Sequence, residues 1–132
     1  MIAAERNATA ARRHIAALSK VGQLLVVSPV VIAESRQRCT NVGAVDAVLA
    51  RLRKTPLLPE DGMRGSDLLR IAGQQAGGGR AASARIHEIG TTDALIAAMA
   101  ERIGGIVFSA DKRHLMWLKH AGARIVVRPV PF

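Results

Sequence analysis

One cysteine, one tryptophan, two phenylalanines and no tyrosine occur in 132 residues, and ten acids face 19 basic side chains. Each shortage removes a class of protein. Cys39 has no partner for an internal disulfide and belongs to no CxxC pair, which excludes a disulfide scaffold and a thioredoxin-like redox motif. Without a nearby histidine to make it a nucleophile, Cys39 reads as a small buried core residue. Phe108, Trp117 and Phe132 are scattered, so the RNA-recognition sheet and the oligonucleotide-binding barrel, which stack bases on exposed rings, do not fit. The longest apolar stretch, VGQLLVVSPVVIA (21–33), is broken by Ser28 and Pro29 and is shorter than the ~20 residues a bilayer span needs. With no secretory pattern at the start, the expectation is a cytoplasmic protein that does not touch a membrane. The four histidines lack HExxH or paired spacing, which argues against zinc. AGGGR (76–80) lacks the Lys-Ser/Thr of a phosphate-binding P-loop, and nothing reads GxSxG.

What is present is positive charge. The balance of 19 − 10 = +9 favours an anionic partner such as RNA, DNA or an acidic protein segment, and 15 of the 19 basic residues are arginines, whose planar fork suits phosphate. A coding bias toward Ala, Arg and Gly is the competing explanation. With so few aromatics, any nucleic acid would be held mainly through its phosphates. The length fits one domain, residues 1–132, able to bury roughly two-thirds of its unfolded surface without a disulfide or structural metal.

Hydrophobic periodicity divides the chain into alternating elements. Residues 2–18 have helical spacing at Ile2, Ala11, Ile15 and Leu18, and Gly22 ends the run. LLVVS (24–28) has the profile of a strand buried on both faces, and Pro29 suits the first position of a following helix. Helices are expected over 30–38 and 41–53, a brief strand within TPLLPED (55–61), a helix over 63–75 and a flexible linker at AGGGR. GTTDALIAAMAERIGG (90–105) is the clearest helix, with Thr91 or Thr92 as cap, one face of Leu95, Ile96, Met99 and Ile103, and a double-glycine stop. IVFS (106–109) reads as a second buried strand, 112–120 as a helix and RIVV (124–127) as a last strand. The expectation is an α/β fold with a parallel sheet covered by helices.

Three acids fall where composition does not put them. Ligands of an open parallel sheet collect at the carboxyl ends of its strands. Glu34 follows the first strand by about a turn of helix, and Asp111 lies two residues beyond IVFS. Asp93 begins the helix that returns to the start of that strand. About eleven helical residues at ~1.5 Å and about five strand residues at ~3.3 Å both span ~16 Å, so Asp93 and Asp111 are expected at the same sheet edge. Glu34 is within reach of that edge if its strand is a neighbour. Converging carboxylates would suit Mg²⁺ or Mn²⁺, which prefer oxygen ligands and could assist phosphodiester hydrolysis inside a positive rim. The plainer reading is that Asp93 and Asp111 only favour helix N-termini.

At these residues the chain resembles the PIN-domain family, metal-dependent ribonucleases that include the VapC toxins of bacterial toxin–antitoxin pairs. SPVVIAESR resembles the segment with the family's glutamate, TTDALIAAMA the helix with its central aspartate, and IVFSADKRHL the strand and turn with a Ser or Thr and the last acid. The resemblance implies a three-layer sandwich, a parallel sheet with helices on both faces. It implies Glu34, Asp93 and Asp111 as metal ligands, and Ser109 as a residue that orients the site or a phosphate. It also implies an RNA substrate, an antitoxin partner and a homodimer. The family opens with a strand ending in an aspartate, and IAAERN resembles the segment just after it. The first, central strand and its aspartate are therefore expected to be missing from this chain, with Glu5 at the rim of the site or on a surface helix.

The expected function is a Mg²⁺-dependent endoribonuclease of the toxin type. The alternative is a catalytically impaired remnant that binds RNA or an antitoxin through charge. A plain basic DNA-binding protein ranks last, because no helix-turn-helix is evident.

Overall fold

The computed structural model describes residues 8–23 and 25–130; the expected helix start at Ile2, Glu5 at the expected rim, Leu24 of the first strand and Phe132 lie outside the described residues. The chain divides into two compact units, one of Met1–Pro56 with Val130–Phe132, the other of Leu57–Pro129. Among the described residues, each contains helices and one small parallel strand pair, which makes the chain α/β and rich in helix.

In the first unit, α1 (Ala8–Lys20) buries Ala11 and ends where Gly22 takes a φ of 79°, a conformation open to glycine. There the Gln23 N–H donates back to the Leu18 carbonyl at 3.0 Å. β1 (Val26–Val27) lies parallel to β2 (Arg53–Lys54), with Val26 opposite Arg53 and Val27 opposite Lys54. A parallel pair needs a crossover instead of a tight hairpin. Two short helices, α2 (Pro29–Arg38) and α3 (Val42–Leu49), occupy it. Ser28, fully buried, accepts the Val31 N–H at 3.3 Å, and Pro29 takes the first helical position, as its fixed φ favours. Asn41 caps α3 in the same way, accepting the Ala44 N–H at 3.0 Å. Val27, Val45 and Leu49 form the core of the unit, with Val31, Ile32, Cys39 and Leu52 packed against it. Cys39 is half-buried, short of the full burial expected, and its thiol donates to the Arg36 carbonyl at 3.3 Å.

Two boundaries differ from expectation. The helix expected over 41–53 stops at Leu49, a turn follows, and Arg53–Lys54 becomes strand. No strand forms within TPLLPED, because Pro56 has no N–H for a ladder and Pro59 starts α4 (Pro59–Ala76). The Asp61 carboxylate then accepts the Leu58 N–H at 2.9 Å, closing the N-terminus of that helix.

In the second unit, α4 and α5 (Arg80–Ile103) form a helical hairpin across Gly77–Gly79, where Gly77 and Gly79 take φ values of 131° and 58°. The glycines expected as a linker are thus a tight turn. Helix also continues through 80–89, ahead of the expected start, and breaks at Gly90 (φ 77°, ψ 165°), so the segment after Gly90 begins where the Thr91–Thr92 cap was expected. The hairpin packs closely. A Cβ on Gly65 would lie 3.2 Å from the Ala94 backbone, and one on Gly73 would lie 2.9 Å from the Ile86 side chain. Leu68, Ala72, Ile89, Ala94, Ala97 and Ala100 of the hairpin join Leu115, Leu118, Ala121, Ala123 and Ile125 in one core.

β3 (Ile106–Ser109) runs parallel to β4 (Val126–Pro129), Ile106 opposite Val126 and Ser109 opposite Pro129, and α6 (Arg113–His120) forms the connection. Val107 and Val127 pack on the core, whereas Ile106 and Val126 are 44% and 45% exposed. These strands are therefore covered on one face, not on both. The last strand also begins two residues later than expected, at Val126.

Candidate active site

Within the second unit, the carboxyl end of β3 leads directly into the N-terminus of α6. Ser109 ends the strand, and its hydroxyl donates to the Asp111 carbonyl at 2.6 Å. The Asp111 carboxylate accepts the Arg113 N–H at 3.0 Å. The side chain thereby serves one of the unpaired amides of the first turn, where the helix dipole also favours a negative charge. Asp93, in the fourth turn of α5 and just past the Gly90 break, approaches the same end of α6, with Oδ2 2.9 Å from Nδ1 of His114. Two of the acids singled out in the sequence thus meet the first turn of one helix.

The remaining contacts there come from residues the sequence did not single out. His114 Nε2 lies 3.8 Å from Glu88 Oε1, and Glu88 pairs with Arg113 at 2.5 Å. The His114 ring stacks on Trp117 with centroids 5.8 Å apart. The Arg85 guanidinium sits 4.4 Å from the centre of the Trp117 ring and that of Arg113 sits 5.3 Å away, both within cation–π range. The only sequence cue to His114 is its place three positions after Asp111. Its partner Asp93 is 21 positions away, beyond any local pattern.

Glu34 belongs to the first unit. It lies on α2 and pairs with Arg38, one helical turn on, at 3.1 Å. Among the described residues, no three His, Cys, Asp or Glu side chains gather into a group able to hold a metal ion. Asp93 and Asp111 offer oxygen donors of the kind Mg²⁺ and Mn²⁺ prefer.

Elsewhere in the second unit, arginine neutralises the acids. Asp61, 2% exposed, receives Arg102 through Nε and Nη2 at 2.8 and 2.9 Å. The Arg102 guanidinium hydrogen-bonded to Asp61 holds that carboxyl below the ordinary range, against burial, which pushes it up. Glu101 is held low by the same causes, with Arg64 as partner. Arg64 spans to it at 2.9 and 3.2 Å and also reaches the Gly122 carbonyl. The backbone N–H of Arg124 completes that cluster. A groove between α4 and α5, lined by Gly62, Gly65, Ser66, Leu69, Ala94 and Leu95 among others, contains none of the four candidate residues. Among the described residues, no helix is long and apolar enough to cross a membrane.

A comparison with protein families matches residues 1–119 to the model of the PIN domain. No curated protein and no solved structure matches the chain. PIN domains are in general metal-dependent nucleases that act on RNA, often alongside an antitoxin.

Proposed function

This chain belongs to the PIN domain family, and from that premise we propose that it is an endoribonuclease of the toxin–antitoxin type, similar to the VapC toxins. The observation that carries the reading is the meeting of Asp93 and Asp111 at the first turn of α6, at the carboxyl end of a parallel strand. Glu34, Asp93 and Asp111 would hold Mg²⁺ or Mn²⁺. When bound, the ion would activate water and steady the charge that develops on a phosphodiester. Asp93 and Asp111 contribute acceptor oxygens. Ser109 has spent its one hydroxyl proton on the Asp111 carbonyl, so it orients the turn and is left to accept, not donate, toward any further group. Lys112, just before α6, and Arg85, over Trp117 of that helix, contribute positive charge that would hold the phosphates flanking the cleaved bond. The proposal extends to a cytoplasmic location, an antitoxin partner, a homodimer and the three-layer sandwich of the family.

A second reading, a catalytically impaired PIN domain that binds RNA or an antitoxin by charge, is favoured by one observation. On α2, Glu34 already pairs with Arg38 at 3.1 Å. The two readings separate in a cleavage assay on single-stranded RNA with Mg²⁺, Mn²⁺ or chelator. Metal-dependent cleavage that Asp93→Asn abolishes, with RNA binding retained, supports the enzyme. Absence of cleavage by the parent in either metal, with RNA still bound, supports the binding module.

A further inference from the structure

We infer that His114 is a positioning residue for Asp93, holding its carboxylate in one orientation through a hydrogen bond from Nδ1. The inference rests on the assignment of Asp93 to the metal and adds a residue to that site. An ionised carboxylate has no proton to give, so the 2.9 Å contact between Asp93 Oδ2 and His114 Nδ1 requires the proton on Nδ1. That bond occupies Oδ2 and leaves Oδ1 for a cation. The ring itself is held on several sides: Trp117 stacks against it, and Glu88 lies 3.8 Å from Nε2. Nε2 is buried and makes no hydrogen bond.

The Gly90 break explains how two carboxylates of one helix reach one imidazole. Positions five apart on an unbroken helix face about 140° from each other. With Gly90 in a non-helical conformation between them, Glu88 and Asp93 both come within reach of the ring. Glu88 is in turn tied to Arg113. The arrangement matches the way outer-shell partners fix the orientation of ligands around a metal.

The test is Mn²⁺ affinity of the full chain, measured by water-proton relaxation, for the parent, Asp93→Asn, His114→Ala, His114→Gln and His114→Asn. Melting curves accompany each variant, and RNA cleavage is measured in parallel. An asparagine amide nitrogen stands near the place of Nδ1, whereas the glutamine amide stands near that of Nε2. The expected result is a Kd about tenfold weaker for His114→Ala and His114→Gln, with affinity restored in His114→Asn. Equal loss in all three His114 variants would make the ring's packing the cause and overturn the inference. Parental affinity in all three, with loss in Asp93→Asn, would overturn the inference while leaving the metal reading standing. Parental affinity in Asp93→Asn would overturn that reading and the inference together.

Discussion

Asp61 and Asp93 lie on the two arms of one helical hairpin and meet opposite surroundings. Asp61, at the start of α4, is buried and held by both arms of the Arg102 fork, and beside it Arg64 does the same for Glu101. Asp93 and Asp111, at the start of α6, have one histidine and one backbone N–H, and no arginine reaches their carboxylates among the described residues. In a chain of +9, arginine is not scarce. The first region spends cations to cancel a buried and a half-buried acid, which stabilises the fold. The second leaves acid charge uncancelled beside a helix N-terminus, and an uncancelled charge is what a cation site requires.

Asparagine substitution breaks or sharpens this contrast most directly. Asp93→Asn is expected to reduce cleavage by more than about a hundredfold, since residues one step removed from a metal already account for about 10–100-fold. Its melting temperature should stay near the parent's, because no arginine loses a partner. Asp61→Asn is expected to do the reverse, lowering the melting temperature while each folded molecule cleaves at the parental rate. If Asp93→Asn unfolds the chain and Asp61→Asn ends cleavage, the contrast is wrong.

Acid reads the same difference. The folded-state pKa values of Asp61 and Glu101 lie below ordinary values, chiefly through their hydrogen bonds to Arg102 and Arg64. The unfolded chain therefore binds more protons as the pH falls through the carboxylate range. The stability these pairs contribute is complete above roughly pH 5 and lost on descending through pH 4 toward the depressed values. Melting temperature measured from pH 7 to pH 3 should be flat and then fall. In Asp61→Asn the acid limb should be shallower; a limb of parental steepness would remove Asp61 from the account.

Much of this was legible before any coordinates, and the boundary is physical. Pro29 opens α2 and Gly104 ends α5 as expected, edges that follow from local chemistry, whereas Ser28 and Asn41, read as strand and helix, are caps whose short polar side chains reach the amides three residues on. The placement of Asp93 and Asp111 near one edge follows from rise per residue alone. What local pattern does not encode is a tertiary choice. Arg53 looks like the end of an amphipathic helix, yet it and Lys54 pair with Val26 and Val27, almost thirty positions earlier. The exposed face of Ile106 contradicts the reading of IVFS as a buried strand. His114, Glu88 and Trp117 carry no local signal, because their contacts to Asp93, Arg113 and Arg85 cross from one helix to another, and the family match likewise gives no contacts between side chains.

Close packing of the hairpin is what lets the arginine pairs form, and it depends on having no side chain at Gly73. A Cβ there would meet Ile86 at 2.9 Å and the Ala82 carbonyl at 3.1 Å. Overpacking of that kind costs ~1–3 kcal/mol, which exceeds the gain of roughly 1 kcal/mol that alanine has over glycine in a helix. Gly73→Ala is expected to destabilise by about 1 kcal/mol in urea unfolding. Gly62→Ala, on the same helix with nothing within 4 Å of its Cβ, should stabilise by up to about 1 kcal/mol. Stabilisation by both would mean that the hairpin tolerates more separation than its geometry indicates.

The smallest effect expected is at Arg85, and it asks whether arginines also divide between the two regions. Arg64 and Arg102 are spent on carboxylates, whereas Arg85 lies over Trp117 and, among the described residues, makes no ion pair. Its guanidinium edge is therefore available to a phosphate. Each phosphate contact to a single strand contributes about 0.7 to the slope of log affinity against log salt. In an Asp93→Asn background, where the RNA survives, Arg85→Ala should lower that slope by about this amount and weaken binding similarly for different sequences, because phosphate contacts carry no base information. Trp117 is the single tryptophan, so its fluorescence reports binding at this place without a label. An unchanged slope in Arg85→Ala, with Trp117 fluorescence indifferent to RNA, would place the RNA elsewhere and leave the carboxylates at α6 without a substrate beside them.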